Sequence, residues 1–217
     1  MSIQSNLNTI KETLPEHVTL VAVSKTKPVS DLMQAYEAGQ RIFGENKIQE
    51  MTEKWEQMPK DIQWHMIGHV QSNKVKFMAP YVTLIHGVDS LKLLQEINKQ
   101  ALKNNRTIDC LLQIYIAEEE SKFGLDEKEL NELLTSVEFN ELKNIRILGL
   151  MGMATFTENQ NQIKKEFTHL KSIFDSIQKL QIVDLKTISM GMSGDYQLAI
   201  ECGSTMVRIG SSIFGGR

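Results

Sequence analysis

The sequence predicts an α/β fold of one particular kind, a single-domain (β/α)8 TIM barrel over residues 1–217 with an N-terminal lead-in helix. Three observations predict it. Eight short strand-forming runs alternate with helical stretches at near-regular intervals, which implies parallel strands, helical crossovers and a closed sheet. The first strand runs into Val23-Ser24-Lys25-Thr26-Lys27-Pro28, nothing like the glycine fingerprint that follows an early strand in a doubly wound dinucleotide-binding sheet. No linker, low-complexity tract or shift of composition divides the 217 residues, a length that suits one sizeable core.

The elements follow in order. Ile3, Leu7, Ile10 and Leu14 recur at helical spacing and make an amphipathic lead-in helix. Leu20 to Lys25 is the first strand, and Pro28 opens a helix from about Val29 to Ala38 that Gly39 stops. Arg41 to Asn46 is a short second strand, followed by a helix to about Met58. Gln63–Gly68 and Val82–His86 are strands three and four, with a short helix between them from about Ser72 to Met78. Asp89 or Ser90 caps the next helix, which carries Leu91, Leu94, Ile97 and Ala101. Cys110–Ile116 is the fifth strand, and Asp126 and Glu129 have capping-box spacing ahead of Leu130, Leu133 and Leu134. Ile147–Met153 is the sixth strand, and the helix after it has a stripe of Ile163, Phe167, Leu170, Phe174 and Ile177. Asp184–Met190 is the seventh, a helix from about Ser193 to Glu201 follows, and Thr205–Ile209 is the eighth.

Composition narrows the function. Net charge is −3 with both signs interspersed, and no basic stripe indicates nucleic acid. The first 14 residues lack the apolar core of a signal peptide, and no apolar run approaches the ~20 residues of a membrane span, so a cytoplasmic protein is expected. Two cysteines, Cys110 and Cys202, define no disulfide framework and read as buried structural thiols. His65 and His69 are four apart, a spacing that makes a metal pair on a helix, but they lie on a strand running into a turn, so no metal is expected.

The chemistry gathers at the C-terminal ends of the strands, where barrels of this kind carry their active groups. Side chains alternate along a strand, so Val21, Val23 and Lys25 share one face. If that face meets the barrel axis, Lys25 stands on apolar walls at the mouth, and desolvation favours its neutral, nucleophilic amine. After strand seven comes Ser189-Met190-Gly191-Met192-Ser193-Gly194-Asp195, in which Ser193 can cap the next helix and glycines admit an anion to the backbone. After strand eight, Gly210, Ser211 and Ser212 again offer glycine and hydroxyls, and these two loops are the usual phosphate cradle of the fold. Arg208 shares the parity of Met206 and Gly210 and so faces the same cradle. A lysine imine, a phosphate and an arginine together suggest pyridoxal 5′-phosphate. An arginine at the ring nitrogen only donates, so the ring stays neutral and is a weaker electron sink than with the usual carboxylate.

These residues carry a resemblance. Ala22 to Pro28, Phe43-Gly44-Glu45-Asn46, Trp64 to Lys74, Ser189 to Ser193 and Val207 to Gly215 resemble the pyridoxal phosphate homeostasis proteins, similar in fold to the N-terminal barrel of alanine racemase. The motifs span nearly the whole chain in order. The resemblance implies that Lys25 forms the internal aldimine, that Ser193, Gly210 and Ser211 hold the phosphate, and that Arg208 meets the pyridine nitrogen. It also implies that Asn46 lines the cofactor, with backbone from Met190 and Gly191 around the phosphate, and that Lys27 and Lys122 are nearby amines able to accept or relay it. Ser211 stands where threonine is commoner, and the C-terminal extension of some relatives is short here.

The expected function is therefore vitamin B6 homeostasis, holding the cofactor and delivering it transiently to pyridoxal-dependent apo-enzymes, with effects on amino-acid and keto-acid balance. Efficient turnover is not expected. Racemases of this fold need a second domain and an opposing tyrosine, and none of Tyr36, Tyr81, Tyr115 and Tyr196 has an obvious place opposite Lys25. A weak amino-acid racemase and a cofactor-free Schiff-base aldolase are the alternatives. Without an obvious extra apolar face the barrel is expected to be a monomer.

Overall fold

The computed structural model describes residues 2–118 and 123–216. Its centre is a closed barrel of eight parallel strands in sequence order, with β8 returning to pair with β1. The strands are β1 (Thr19–Val23), β2 (Ile42–Glu45), β3 (Gln63–Met66), β4 (Leu84–Val88), β5 (Ile108–Gln113), β6 (Ile145–Met151), β7 (Thr187–Met192) and β8 (Met206–Ile209). This is the predicted fold. Strands four, five, six and seven are displaced by about two residues from their expected bounds, because a continuous apolar run marks a strand without marking its paired residues.

Ten α-helices lie around it among the described residues: α1 (Ile3–Thr13), α2 (Val29–Glu37), α3 (Ile48–Gln57), α4 (Val75–Met78), α5 (Leu91–Lys103), α6 (Glu127–Thr135), α7 (Val137–Asn140), α8 (Gln160–Leu180), α9 (Tyr196–Glu201) and α10 (Ser211–Phe214). The caps are the ones the sequence announces. Ser90 accepts from Leu93 N–H, and Asp126 with Glu129 forms a full capping box. The apolar stripe of α8 is buried throughout, from Ile163 to Ile177. No helix among the described residues is long and apolar enough to cross a membrane. Cys110 is buried, as expected; Cys202 is only half-buried, because it follows the short α9 at the rim rather than the middle of a core element.

Strand alternation divides the core in two. Outward side chains such as Leu20, Ala22, Phe43 and Trp64 join the large cluster between barrel and helices. Inward ones, Val21, Leu84, Leu111, Met151 and Met206, fill the lower barrel as a separate apolar plug. Above that plug the interior turns polar: His65, His86, Gln113, Ser189 and Arg208 are all buried.

Closure depends on close backbone approach between β6 and β7. A Cβ on Gly149 would fall 1.7 Å from Thr187 O, a backbone atom that cannot rotate aside. Gly149→Ala is expected to lower stability by roughly 2 kcal/mol through overpacking, read as a reduced urea midpoint. An unchanged midpoint would mean that this strand pair is not so tightly apposed.

Candidate functional site

The mouth of the barrel holds a cavity of about 790 Å³. Lys25, Asn46, Ser193, Arg208, Gly210 and Ser211 all line it, so residues scattered over nearly the whole chain meet in one place. Met190 and Gly191 do not line it. Met190 is buried among the outer core, and its carbonyl accepts from Ser204 Oγ at 2.7 Å. Gly191 has φ +96°, and a Cβ there would meet that of Ala199 at 2.6 Å, so it serves the packing of α9 on β7. Lys122 lies outside the described residues. Lys27 is half-buried and donates from Nζ to Gly216 O at 2.9 Å.

Lys25 stands two residues beyond β1, half-buried, on the inward parity of Val21 and Val23. The turn that carries it is pinned from beneath. Lys54, buried on α3, donates to Ser24 O at 2.8 Å, to Glu45 Oε1 at 2.7 Å and to Glu50 Oε1 at 2.7 Å. Its three N–H donors are thereby spent. Ser24 Oγ donates to the same Glu45 oxygen at 2.6 Å. Glu50 also accepts Thr26 N–H at 2.6 Å, and Thr26 sits at φ +64°, a conformation that β-branched residues seldom adopt. The carboxylate therefore holds a strained residue directly after the lysine. Burial pushes the Glu45 carboxyl upward, against the attraction of Lys54, and its Oε2 has no partner.

The two loops of the expected cradle are linked to each other. Ser193 does not cap a helix, because β7 runs on to Met192 and α9 begins only at Tyr196. Its hydroxyl instead accepts Gly210 N–H at 3.2 Å, tying the loop after β7 to the loop after β8. Asp195 completes the turn by accepting Met192 N–H at 2.6 Å. The first-turn N–H groups of α10, from Ser211 and Ser212, are spare as at any helix start. Hydroxyls, glycine backbone and spare N–H groups are a donor set that fits a phosphate ester.

Arg208 forms the buried wall beside that cradle. Its guanidinium donates from Nη1 to Ser189 Oγ at 2.6 Å and from Nη2 to Gly152 O at 3.1 Å. Burial lowers its pKa to about 10, with Asp195 working the other way, so it remains a cation at neutral pH. Ser189 Oγ is also 3.0 Å from His86 Nδ1, and His86 Nε2 is 3.1 Å from His65 Nδ1. Sequence reasoning placed His65 on a strand but did not see this chain of contacts. The available signal was that His65, His86 and Ser189 each fall on the inward parity of their strands.

At the opposite rim, His69 stacks on Phe123 with ring centroids 4.4 Å apart and meets Asp89 Oδ2 at 3.4 Å. No tyrosine is among the described residues lining the cavity.

Two measurements test this geometry. Lys54→Met leaves the Glu45 carboxyl buried without its cation and should cost roughly 3 kcal/mol of stability in urea unfolding, whereas an unchanged midpoint would show that Lys54 is not the peg. The histidines give a pH dependence. Burial holds His65 at about 3 and His86 well below its ordinary value, with the neighbouring His65 and Arg208 adding to the latter. Both rings have depressed pKa values and stay neutral in the folded protein, so their effect is absent above the unfolded value of about 6.5. As pH falls from there towards 3 the unfolded chain takes up protons that the folded one refuses, and stability falls. Each ring contributes roughly 1.4 kcal/mol per pH unit in that window. Unfolding at pH 7 and pH 5 should therefore show a shallower loss in the His65→Leu, His86→Leu double variant; equal slopes would contradict neutral burial.

Known proteins match the chain over nearly its whole length. The alanine racemase N-terminal domain family matches residues 1–217. The pyridoxal phosphate homeostasis protein of Aquifex aeolicus is 40% identical over 200 residues, 91% of this chain and 86% of that protein. Its counterpart from Pasteurella multocida is 38% identical over 231 residues, covering 100% of this chain and 98% of its own length. Among solved structures, PipY of Synechococcus elongatus with pyridoxal phosphate bound superposes with a TM-score of 0.90 at 32% identity, covering 99% of this chain and 100% of that one. With near-complete coverage in both directions, the chain belongs to the family of pyridoxal phosphate homeostasis proteins, on the fold of the alanine racemase N-terminal domain.

Proposed function

We propose that this protein binds pyridoxal 5′-phosphate in the cavity at the barrel mouth and serves vitamin B6 homeostasis. The observation that carries the reading is the convergence, on one 790 Å³ cavity, of a lysine, a hydroxyl-and-glycine cradle and a buried arginine. Relatives are named for pyridoxal phosphate homeostasis, and PipY binds that cofactor in the same fold. Lys25 holds it covalently as a Schiff base, Ser193, Gly210 and Ser211 hold the phosphate, and Asn46 lines the ring. When bound, the cofactor supplies an aldehyde for amines and an electron sink.

Arg208 sets how strong that sink is. It has donors and no acceptor, so a pyridine nitrogen that met it would keep its lone pair and the ring would stay neutral. Inversion of an amino acid needs a base on each face of the ring. Among the titratable groups that line the cavity with Lys25, His69 is turned to Asp89 and flat against Phe123, and no described tyrosine lines the cavity. The protein is therefore a cytoplasmic carrier that exchanges the cofactor with apo-enzymes, linked through it to amino-acid and keto-acid balance, rather than a turnover catalyst.

Incubation with pyridoxal 5′-phosphate should give a visible absorbance band that borohydride abolishes, with the reduced adduct mapped by mass spectrometry to Lys25. Lys25→Ala should lose both, and an equally strong reducible band in that variant would overturn the assignment. Added L-alanine should show no racemisation at ordinary enzymatic rates by circular dichroism; turnover at such rates would make the protein a racemase.

A further inference from the structure

The polar layer inside the barrel has a direction. Arg208 can only donate, so its 2.6 Å contact makes Ser189 Oγ an acceptor. The hydroxyl proton of Ser189 then needs a buried acceptor of its own, and His86 Nδ1 at 3.0 Å is there to take it. That requires a bare Nδ1 and places the proton of His86 on Nε2. From Nε2 it is donated over 3.1 Å to His65 Nδ1, which must also be bare, leaving the proton of His65 on its own Nε2. The reverse orientation would aim two donors at Ser189 Oγ and leave a buried hydroxyl proton without an acceptor. A proton on both nitrogens of either ring would set N–H against N–H, or against Ser189, beside a cation.

All four groups are buried, and they come from four different strands, β3, β4, β7 and β8. Their order is fixed by the one member that cannot accept. We propose that His86 and His65 are positioning residues of the cofactor site, each locked in its Nε2–H tautomer, which hold Ser189 as an acceptor and thereby fix the guanidinium of Arg208 against the cavity. The ligand class they tune for is a pyridine whose nitrogen is unprotonated and accepts a hydrogen bond. This last step rests on the reading of the cavity as a pyridoxal phosphate site; the tautomers do not.

With two N–H groups spent on Ser189 and Gly152, the guanidinium cannot rotate without breaking a buried bond, and its remaining donors stay at the cavity wall. Without His86, Ser189 loses the acceptor that orients it. The guanidinium then has no reason to prefer one rotation, and its contact with a ring nitrogen weakens.

The test has two parts. In the cofactor-free protein labelled with isotopic nitrogen at histidine, a proton–nitrogen correlation spectrum near neutral pH should show both His65 and His86 as Nε2–H tautomers. An Nδ1–H tautomer or an imidazolium at either position overturns the proposal whatever the ligand. In the second part, cofactor labelled at its ring nitrogen is added. His86→Phe should bind it roughly tenfold more weakly, the scale of one hydrogen bond to a charged group, and should shift the ring-nitrogen resonance. The borohydride-reducible adduct on Lys25 should persist. His86→Asn, whose carbonyl can take the Ser189 proton, should restore most of both. Should His86→Phe fail to fold, Ser189→Ala breaks the same chain by deleting one oxygen and carries the same expectation. Undiminished affinity with an unmoved resonance overturns the positioning role. If the unsubstituted protein forms no adduct on Lys25, the cofactor reading fails, and the tautomer spectrum still decides the orientation of the chain.

Discussion

A guanidinium buried in the throat of the barrel is the constraint around which the rest is arranged. Arg208 is a buried cation held by one hydroxyl and one backbone carbonyl, with the charge of Asp195 favouring it. Taking such a charge out of water is costly unless its donors are met. Nearly everything inward-facing above the apolar plug answers that requirement: Ser189 accepts from it, His86 and His65 back Ser189, and Gly152 offers a carbonyl from beside β6. The donors left over line the cavity, and under the proposed function they would meet a ligand atom with a lone pair and no proton.

The lysine beyond the neighbouring strand β1 is served by a separate device. Lys54, Glu45 and Glu50 form a buried charged peg between β1, β2 and α3, and it holds a left-handed Thr26 directly after Lys25. Strained backbone costs of order 1–3 kcal/mol and persists only where its surroundings impose it. Here the imposing group is a carboxylate which is itself held by a buried lysine. The two devices are independent in contact but converge on one cavity, one fixing the amine and the other fixing the electrostatic character of the wall.

The sequence makes the barrel legible because strand and helix signals alternate without interruption, and it makes Lys25 and Arg208 legible because alternation along a strand says which way each faces. What it left obscure has physical reasons. His86 and Ser189 are 103 residues apart, and only the closed sheet brings them to 3.0 Å. Lys54 has the look of a solvated charge on a helix, and only packing against β2 reveals it as buried. Ser193 was expected to cap a helix, but β7 runs to Met192 and α9 begins at Tyr196, so its hydroxyl is free to join the two cradle loops. Met190 has the wrong parity to line the cavity, and Gly191, in the stretch where the β7–β8 register shifts, packs against α9 instead.

A crystal structure of the protein grown with pyridoxal 5′-phosphate tests the central claim most directly. The account predicts a ring nitrogen within hydrogen-bonding distance of an Arg208 that still contacts Ser189, with the phosphate between Ser193 and Ser211. A ring nitrogen facing a carboxylate, or a guanidinium turned away from the ligand, would contradict it.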